Sequence, residues 1–107
     1  MARKITLTYP TAMALAAISE GHRYGFDIMD TTGLPDGTVY PILRRLESRG
    51  YSRGVWEDEE VAFRDGRPAR RYYELTALGL EALSAALARY PRLGDLFPAA
   101  GKHAITT

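Results

Sequence analysis

A chain of 107 residues has room for one domain with one modest core. Apolar residues make up 46% and charged residues 25%, the balance of a globular protein, which excludes wholesale disorder. Net charge is only +1 and there is no cysteine. Disulfides, thiolate catalysis and cysteine-held zinc are thereby excluded, and any nucleic-acid role must come from where the charges lie.

No apolar run approaches the ~20 residues of a membrane span. Arg3 and Lys4 are followed by no long apolar segment, so no secretory signal is expected and the default location is the cytoplasm. A first helix is predicted over Thr6 to Gly21, with Thr8 as cap, Pro10 in the first turn and Gly21 at the end. Ala12 to Ile18 is apolar nearly all round, so this helix must pack on more than one side. A short second helix is predicted over Tyr24 to Thr32, with Tyr24, Ile28, Phe26 and Met29 on its apolar side and Gly33 ending it. The turn Gly33-Leu34-Pro35 leads into a third helix, about 36 to 49, that buries Val39, Ile42, Leu43 and Leu46. Its exposed face carries Tyr40, Arg44, Arg45, Glu47, Ser48 and Arg49.

Pro41 lies inside that third stretch. Proline is tolerated in a first turn, where its missing N–H has no helical partner anyway. The helix is therefore expected to start near Asp36 to Thr38, with one of these two as cap. Thr38 and Tyr40 then belong to a helix N-terminus, where free N–H groups and the dipole favour phosphate.

A β-hairpin is predicted next, from Tyr51 to Glu57 and from Ala69 to Leu75, on β-propensity and period-two alternation. Asp65-Gly66 marks a turn between them. The acidic run Glu57 to Glu60 is read as a solvated part of a strand, and Trp56 as cover for the hairpin's inner face. Thr76 caps a last helix that runs to Tyr90 and stops at Pro91. Leu80, Leu83, Leu87 and Tyr90 recur at spacings of three and four, a narrow seam suited to a second copy. Residues 91–107 form a tail, mobile at its end, in which Leu93, Leu96 and Phe97 are available to dock.

The fold class is thus mainly α with a small β-hairpin, a winged helix-turn-helix in the order α-α-α-β-β-α. In that architecture the third helix enters the DNA major groove and the hairpin reaches a neighbouring groove. The charges fit. Arg44, Arg45, Arg49 and Arg53 cluster on or just after the third helix, and Arg64, Arg67, Arg70 and Arg71 on the hairpin. A near-neutral chain can so present one basic face.

The run Gly37-Thr38-Val39-Tyr40-Pro41-Ile42-Leu43-Arg44-Arg45-Leu46 resembles the signature helix of PadR-type transcriptional regulators, usually Gly-Thr-Leu-Tyr-Pro-x-Leu-x-x-Leu. Arg70-Arg71-Tyr72-Tyr73-Glu74-Leu75-Thr76-x-x-Gly79 is similar to that family's second wing strand and the start of its last helix. Gly25-Phe26-Asp27-Ile28 resembles the start of its second helix. The likeness covers about Ala12 to Tyr90 and is closest to the compact subgroup, which lacks a long C-terminal domain. It implies a winged-helix domain over 1–90, including a dimerisation helix over 76–90. It implies a homodimer that represses transcription from a palindromic operator in double-stranded DNA. Thr38, Tyr40, Arg44 and Arg45 would be contacts of the reading helix, Arg67 and Arg70 contacts of the wing, and Tyr24 a contact at the start of the second helix. Leu80, Leu83, Leu87 and Tyr90, completed by Leu15, would form the dimer interface. The family's usual His-Gly-Tyr is Tyr24-Gly25-Phe26 here, which changes what that corner offers DNA. Family members often respond to a small molecule. An effector of this chain would belong between subunits, near Tyr90.

Nothing points to catalysis, a metal or a cofactor. His22 and His103 are far apart, and no phosphate-cradling glycine loop or nucleophile motif is present. The rival reading is a winged-helix module that binds another protein and never touches DNA.

Overall fold

The computed structural model describes residues 7–100. Five elements build the helical half and the wing: α1 (Tyr9–Glu20), α2 (Gly25–Thr32), α3 (Asp36–Ser48), β1 (Ser52–Trp56) and β2 (Arg71–Leu75). Between the strands lies a short helix, α4 (Glu59–Arg64), and after them come α5 (Ala77–Arg89) and α6 (Arg92–Leu96). The architecture is the expected winged helix with one added helix in the wing and one after α5.

Helix α1 is the centre. Its residues from Thr11 to Ile18 are buried except Met13, and it touches α2, α3, β2, α5 and α6. Small side chains explain this: Ala12, Ala14, Ala16 and Ala17 let neighbours approach from several sides without leaving voids. Leu15, Ile28, Val39, Leu43, Leu46, Leu83 and Leu93 fill the remaining space, each fully hidden. Burial on that scale stabilises by about 1.5–3 kcal/mol per side chain. Leu93, Phe97 and Ala100 are part of this core, so α6 folds back onto α1 and α5.

The turn between α2 and α3 is sharp because Gly33 adopts φ 76°, a left-handed conformation that disfavours other residues. Its N–H bonds the Met29 carbonyl and closes α2. Thr8 precedes α1 in extended conformation, but its hydroxyl pairs with that of Thr11 instead of capping a backbone N–H.

Helix α3 starts earlier than Pro41 suggests. Pro35 is the cap residue, and its carbonyl accepts from the N–H groups of Thr38 and Val39. Asp36 is the first helical residue, and its carboxylate takes the Gly37 N–H at 2.7 Å. Pro41 therefore lies in the second turn, where it removes the donor that the Gly37 carbonyl would otherwise receive. The expectation that Pro41 marks a first turn is corrected. Asp36 and Thr38 are not caps, and Tyr40 is a full turn inside the helix.

The two strands pair antiparallel, with Gly54 opposite Tyr73 and Trp56 opposite Arg71. The backbone of Arg23 and Tyr24 adds a short third edge: the Tyr73 N–H bonds the Arg23 carbonyl, and Tyr24 bridges Tyr72. This fastens the start of α2 to the wing. The acidic run is not strand. Asp58 caps α4 by accepting the Glu60 N–H at 2.8 Å, and Glu59 and Glu60 occupy its first turn. Ala62 anchors α4, while Phe63 stands 85% exposed.

Helix α5 is capped by Thr76, whose hydroxyl accepts from Gly79 N–H and donates to the Gly50 carbonyl. Gly79 is required by a close approach: a Cβ there would run into the Tyr51 carbonyl oxygen.

Candidate nucleic-acid interface

Helix α3 turns Val39, Ile42, Leu43 and Leu46 inward, which leaves Tyr40, Arg44, Arg45 and Arg49 on the opposite face. None of these three arginines forms an ion pair among the described residues. Thr38, at the N-terminal end of the same helix, is half-buried. Arg45 also lies in the last turn of α3, where its charge suits the dipole.

Tyr40 is held in place by an absence. The start of α2 meets its ring at Gly25, and a Cβ on Gly25 would come within 2.5–2.8 Å of three atoms of the phenol. The phenol thus lies against bare backbone with 42% of the residue still exposed. Tyr24, one residue earlier, packs edge-on against Tyr72 at 5.5 Å, and the Arg70 guanidinium stacks over its ring at 4.2 Å. Tyr24, Tyr40, Arg67 and Arg70 line one groove of about 530 Å³ between α2, α3 and the wing.

Most of the wing's other arginines are matched internally, Arg64 being the exception with only the Glu60 carbonyl at 3.5 Å. Arg67, expected as a DNA contact, clasps Glu57 through both Nη atoms at 2.6 and 2.8 Å and reaches Asp65 at 3.2 Å. Glu57 also accepts the Arg70 N–H at 3.2 Å. The Arg67 hydrogen bond is the main reason the Glu57 carboxyl is lowered to about 2, against the opposing effect of desolvation. Glu57 in turn raises the Arg67 pKa. Arg67 is consequently a clamp between the end of β1 and the segment before β2, and a DNA contact from it would have to draw it away from Glu57. Arg71 pairs with Glu47 of α3, its guanidinium lying across Gly54, where any side chain would collide with it. Arg53 and Arg23 share Glu74.

Three groove residues were not expected there. Phe26, assigned to the apolar side of α2, is 71% exposed, and Trp56, expected to cover an inner face, is 64% exposed. Both line the groove with Arg71. The register held the signal for Trp56: it faces Arg71 across the ladder, and a strand end opposite an arginine is not a core position. No such signal existed for Phe26, since α2 is only eight residues long.

The expected dimer residues divide. Leu15 and Leu83 have no exposed surface within the protomer, so both are core side chains and are withdrawn from the interface. Leu80 is 42% exposed, while Leu87 and Tyr90 are half-buried against the core. The Tyr90 hydroxyl donates to the Leu7 carbonyl at 2.7 Å, and its ring meets Tyr9 edge-on at 5.2 Å. Among the described residues no group of three or more His, Asp or Glu is placed to hold a metal, and no helix is long and apolar enough to cross a membrane.

No curated protein matches this sequence. Solved structures do resemble it. The smu.1704 protein of Streptococcus mutans UA159 is similar at a TM-score of 0.67 and 23% identity, covering 100% of this chain and 99% of its own. A PadR family transcription regulator from Clostridium difficile R20291 is similar at 0.68 and 21%, covering 85% of this chain and 96% of its own. A mutant of S. aureus MepR, solved bound to an oligodeoxyribonucleotide, is similar at 0.62 and 16%, covering 83% of this chain and 62% of its own. At these identities the likeness is one of fold. The model of the transcriptional regulator PadR-like family matches residues 14–85, which span most of α1, α2, α3, the wing and most of α5. The chain belongs to the PadR-like family of transcriptional regulators.

Proposed function

We propose that this regulator is a homodimeric repressor that binds a palindromic operator in double-stranded DNA, with α3 in the major groove and the wing beside it. One observation carries the reading: α3 presents Tyr40, Arg44 and Arg45 together, the arginines without carboxylate partners among the described residues and the tyrosine seated on Gly25. Arginine reads guanine through two parallel hydrogen bonds, and unpaired arginine also neutralises phosphate. Arg70 and Tyr24 supply the flank, and Thr38 the N-terminal end of the contact. The DNA-bound form of MepR lends support to a duplex as partner of this fold.

In the dimer, Leu80, Leu87 and Tyr90 of α5 pack against their copies, which sets two reading helices about 34–36 Å apart, one DNA turn. A protein bound over a promoter blocks transcription by occupying it. A small effector acting on such a dimer would shift the spacing of the reading helices.

The wing tip favours a second reading. Asp58, Glu59 and Glu60 make α4 acidic, and Phe63 is exposed beside them, features that suit a protein partner better than phosphate. Salt dependence separates the two. Duplex binding loses affinity with a log–log slope of about −0.9 per phosphate neutralised. Titration of labelled upstream DNA against random competitor at two salt concentrations tests the proposal: absence of preference and of salt dependence would favour the protein-binding module.

A further inference from the structure

We infer that Arg71 is a positioning residue of the reading helix: by occupying Glu47 it keeps that carboxylate from capturing Arg44 and from facing phosphate. The inference rests on the operator-binding reading above.

Tyr40, Arg44 and Glu47 follow one another at spacings of four and three, so they share one face of α3. Two of them are proposed DNA contacts, and the third is an anion among them. An acid three residues from an arginine on a helix is placed to pair with it. A free carboxylate against the duplex also sets like charge on like. Yet Arg44 has no carboxylate partner among the described residues. Glu47 is taken instead by Arg71, which reaches it from β2 at 2.5 Å.

The ladder builds this pairing. Gly54 stands opposite Tyr73 and Trp56 opposite Arg71, so all four lie on one face of the wing. Gly54 is thus the diagonal neighbour of Arg71, and a Cβ there would come within 2.5–2.6 Å of its Cζ, Nη2 and Nε atoms. Bare backbone at Gly54 opens the path along which the guanidinium reaches α3. The Trp56 and Tyr73 rings flank it, with centroids 5.4 and 5.9 Å from Cζ. With 31% and 35% of the Arg71 and Glu47 side chains exposed, salt screens the pair less than it would a fully exposed one. The wing therefore gives this arginine to α3, and Arg44 and Arg45 keep their charge for DNA.

A double-mutant cycle on operator affinity tests the inference, by fluorescence anisotropy with DNA from the chain's own upstream region and random competitor. Arg71→Met keeps an apolar stem and removes the charge. It should weaken specific binding about fivefold or more and narrow the preference over competitor. Glu47→Gln alone should bind no more weakly than wild type. Adding Glu47→Gln to Arg71→Met should restore affinity and preference to within about twofold of wild type, and Arg71→Lys should stay within about threefold. A strut that merely held the wing would gain nothing from the second change. A direct phosphate contact would lose as much or more once Glu47 is neutral. No loss in Arg71→Met, or a double variant as weak as Arg71→Met, would overturn the inference. Should Arg71→Met fail to fold, Gly54→Ala displaces the same guanidinium with both charges in place, and its rescue by Glu47→Gln or lack of rescue decides in the same way. Wild-type protein without preference for its upstream DNA would overturn the operator reading and the inference with it. Preference without rescue would overturn the inference alone.

Discussion

Gly25→Ala separates stability from function. The new methyl group would stand 2.5 Å from Cε1, 2.7 Å from Oη and 2.8 Å from Cζ of Tyr40. Comfortable carbon contacts are about 3.5–4.0 Å, so the ring must retreat by roughly 1 Å. It has somewhere to go, being 42% exposed, and it can swing outward without moving α3. A displaced rotamer costs about 0.5–1.5 kcal/mol. Alanine in place of glycine at the first position of α2 returns up to about 1 kcal/mol in helix propensity. The net change in folding stability is therefore within about 1 kcal/mol, measurable by urea unfolding. If Tyr40 contacts the operator as proposed, DNA affinity should fall much further, by about 1–3 kcal/mol, because the ring leaves its place on α3. Fluorescence anisotropy on the same preparation gives that number. Unchanged DNA affinity would show that the seat of Tyr40 on Gly25 is irrelevant to binding, and a stability loss well above 2 kcal/mol would show that the ring cannot swing out.

Gly79→Ala should destabilise by at least about 1–3 kcal/mol in urea unfolding despite its favourable propensity, because the obstacle is the Tyr51 backbone carbonyl and not a side chain. Leu83→Ala should cost about 2–5 kcal/mol as a core cavity, whereas Leu80→Glu with Leu87→Glu should give a monomer by light scattering; an intact dimer would place the interface elsewhere. Acid stability follows the wing clamp. The Glu57 carboxyl is held at about 2 in the folded chain against 4.5 ordinarily, a depressed value. Its contribution is therefore full above about 4.5 and lost as pH falls from there toward 2. Urea midpoints of Glu57→Gln should accordingly show a shallower acid decline than wild type, and identical declines would remove Glu57 from the account.

How much of this was legible depends on the residue. The long periodic helices were, because Leu43, Leu46 and Leu83 sit where 3.6-residue spacing puts them, and the helix stops at Gly21 and Gly33 are chemical. Helix α4 was missed although its signals were present: Asp58 as cap, Glu59 and Glu60 in the first turn, Arg64 in the last. Six residues between two strands gave too short a window for periodicity to speak. Pro41 misplaced the start of α3 because proline position is a preference, and the packing of Val39, Ile42 and Leu43 outweighed the lost hydrogen bond. At the site, sequence brought Tyr24, Tyr40 and Arg70 onto the list but not together; only the fold makes them one surface. The charge map also treated all eight arginines alike, and the family resemblance singled out Arg67 with Arg44, Arg45 and Arg70. That Arg67 and Arg71 are matched while Arg44, Arg45 and Arg70 are not depends on long-range pairing with Glu57 and Glu47, which no local pattern announces.

The central claim is that α3 reads a duplex. The most direct test is the affinity of the wild-type chain and of Arg44→Ala for DNA from its own upstream region, by anisotropy at two salt concentrations with random competitor. The account predicts competitor-resistant, salt-sensitive binding, with Arg44→Ala costing about 1–3 kcal/mol and relaxing sequence preference. Binding that is indifferent to salt and sequence, or equal in the wild type and Arg44→Ala, would contradict it.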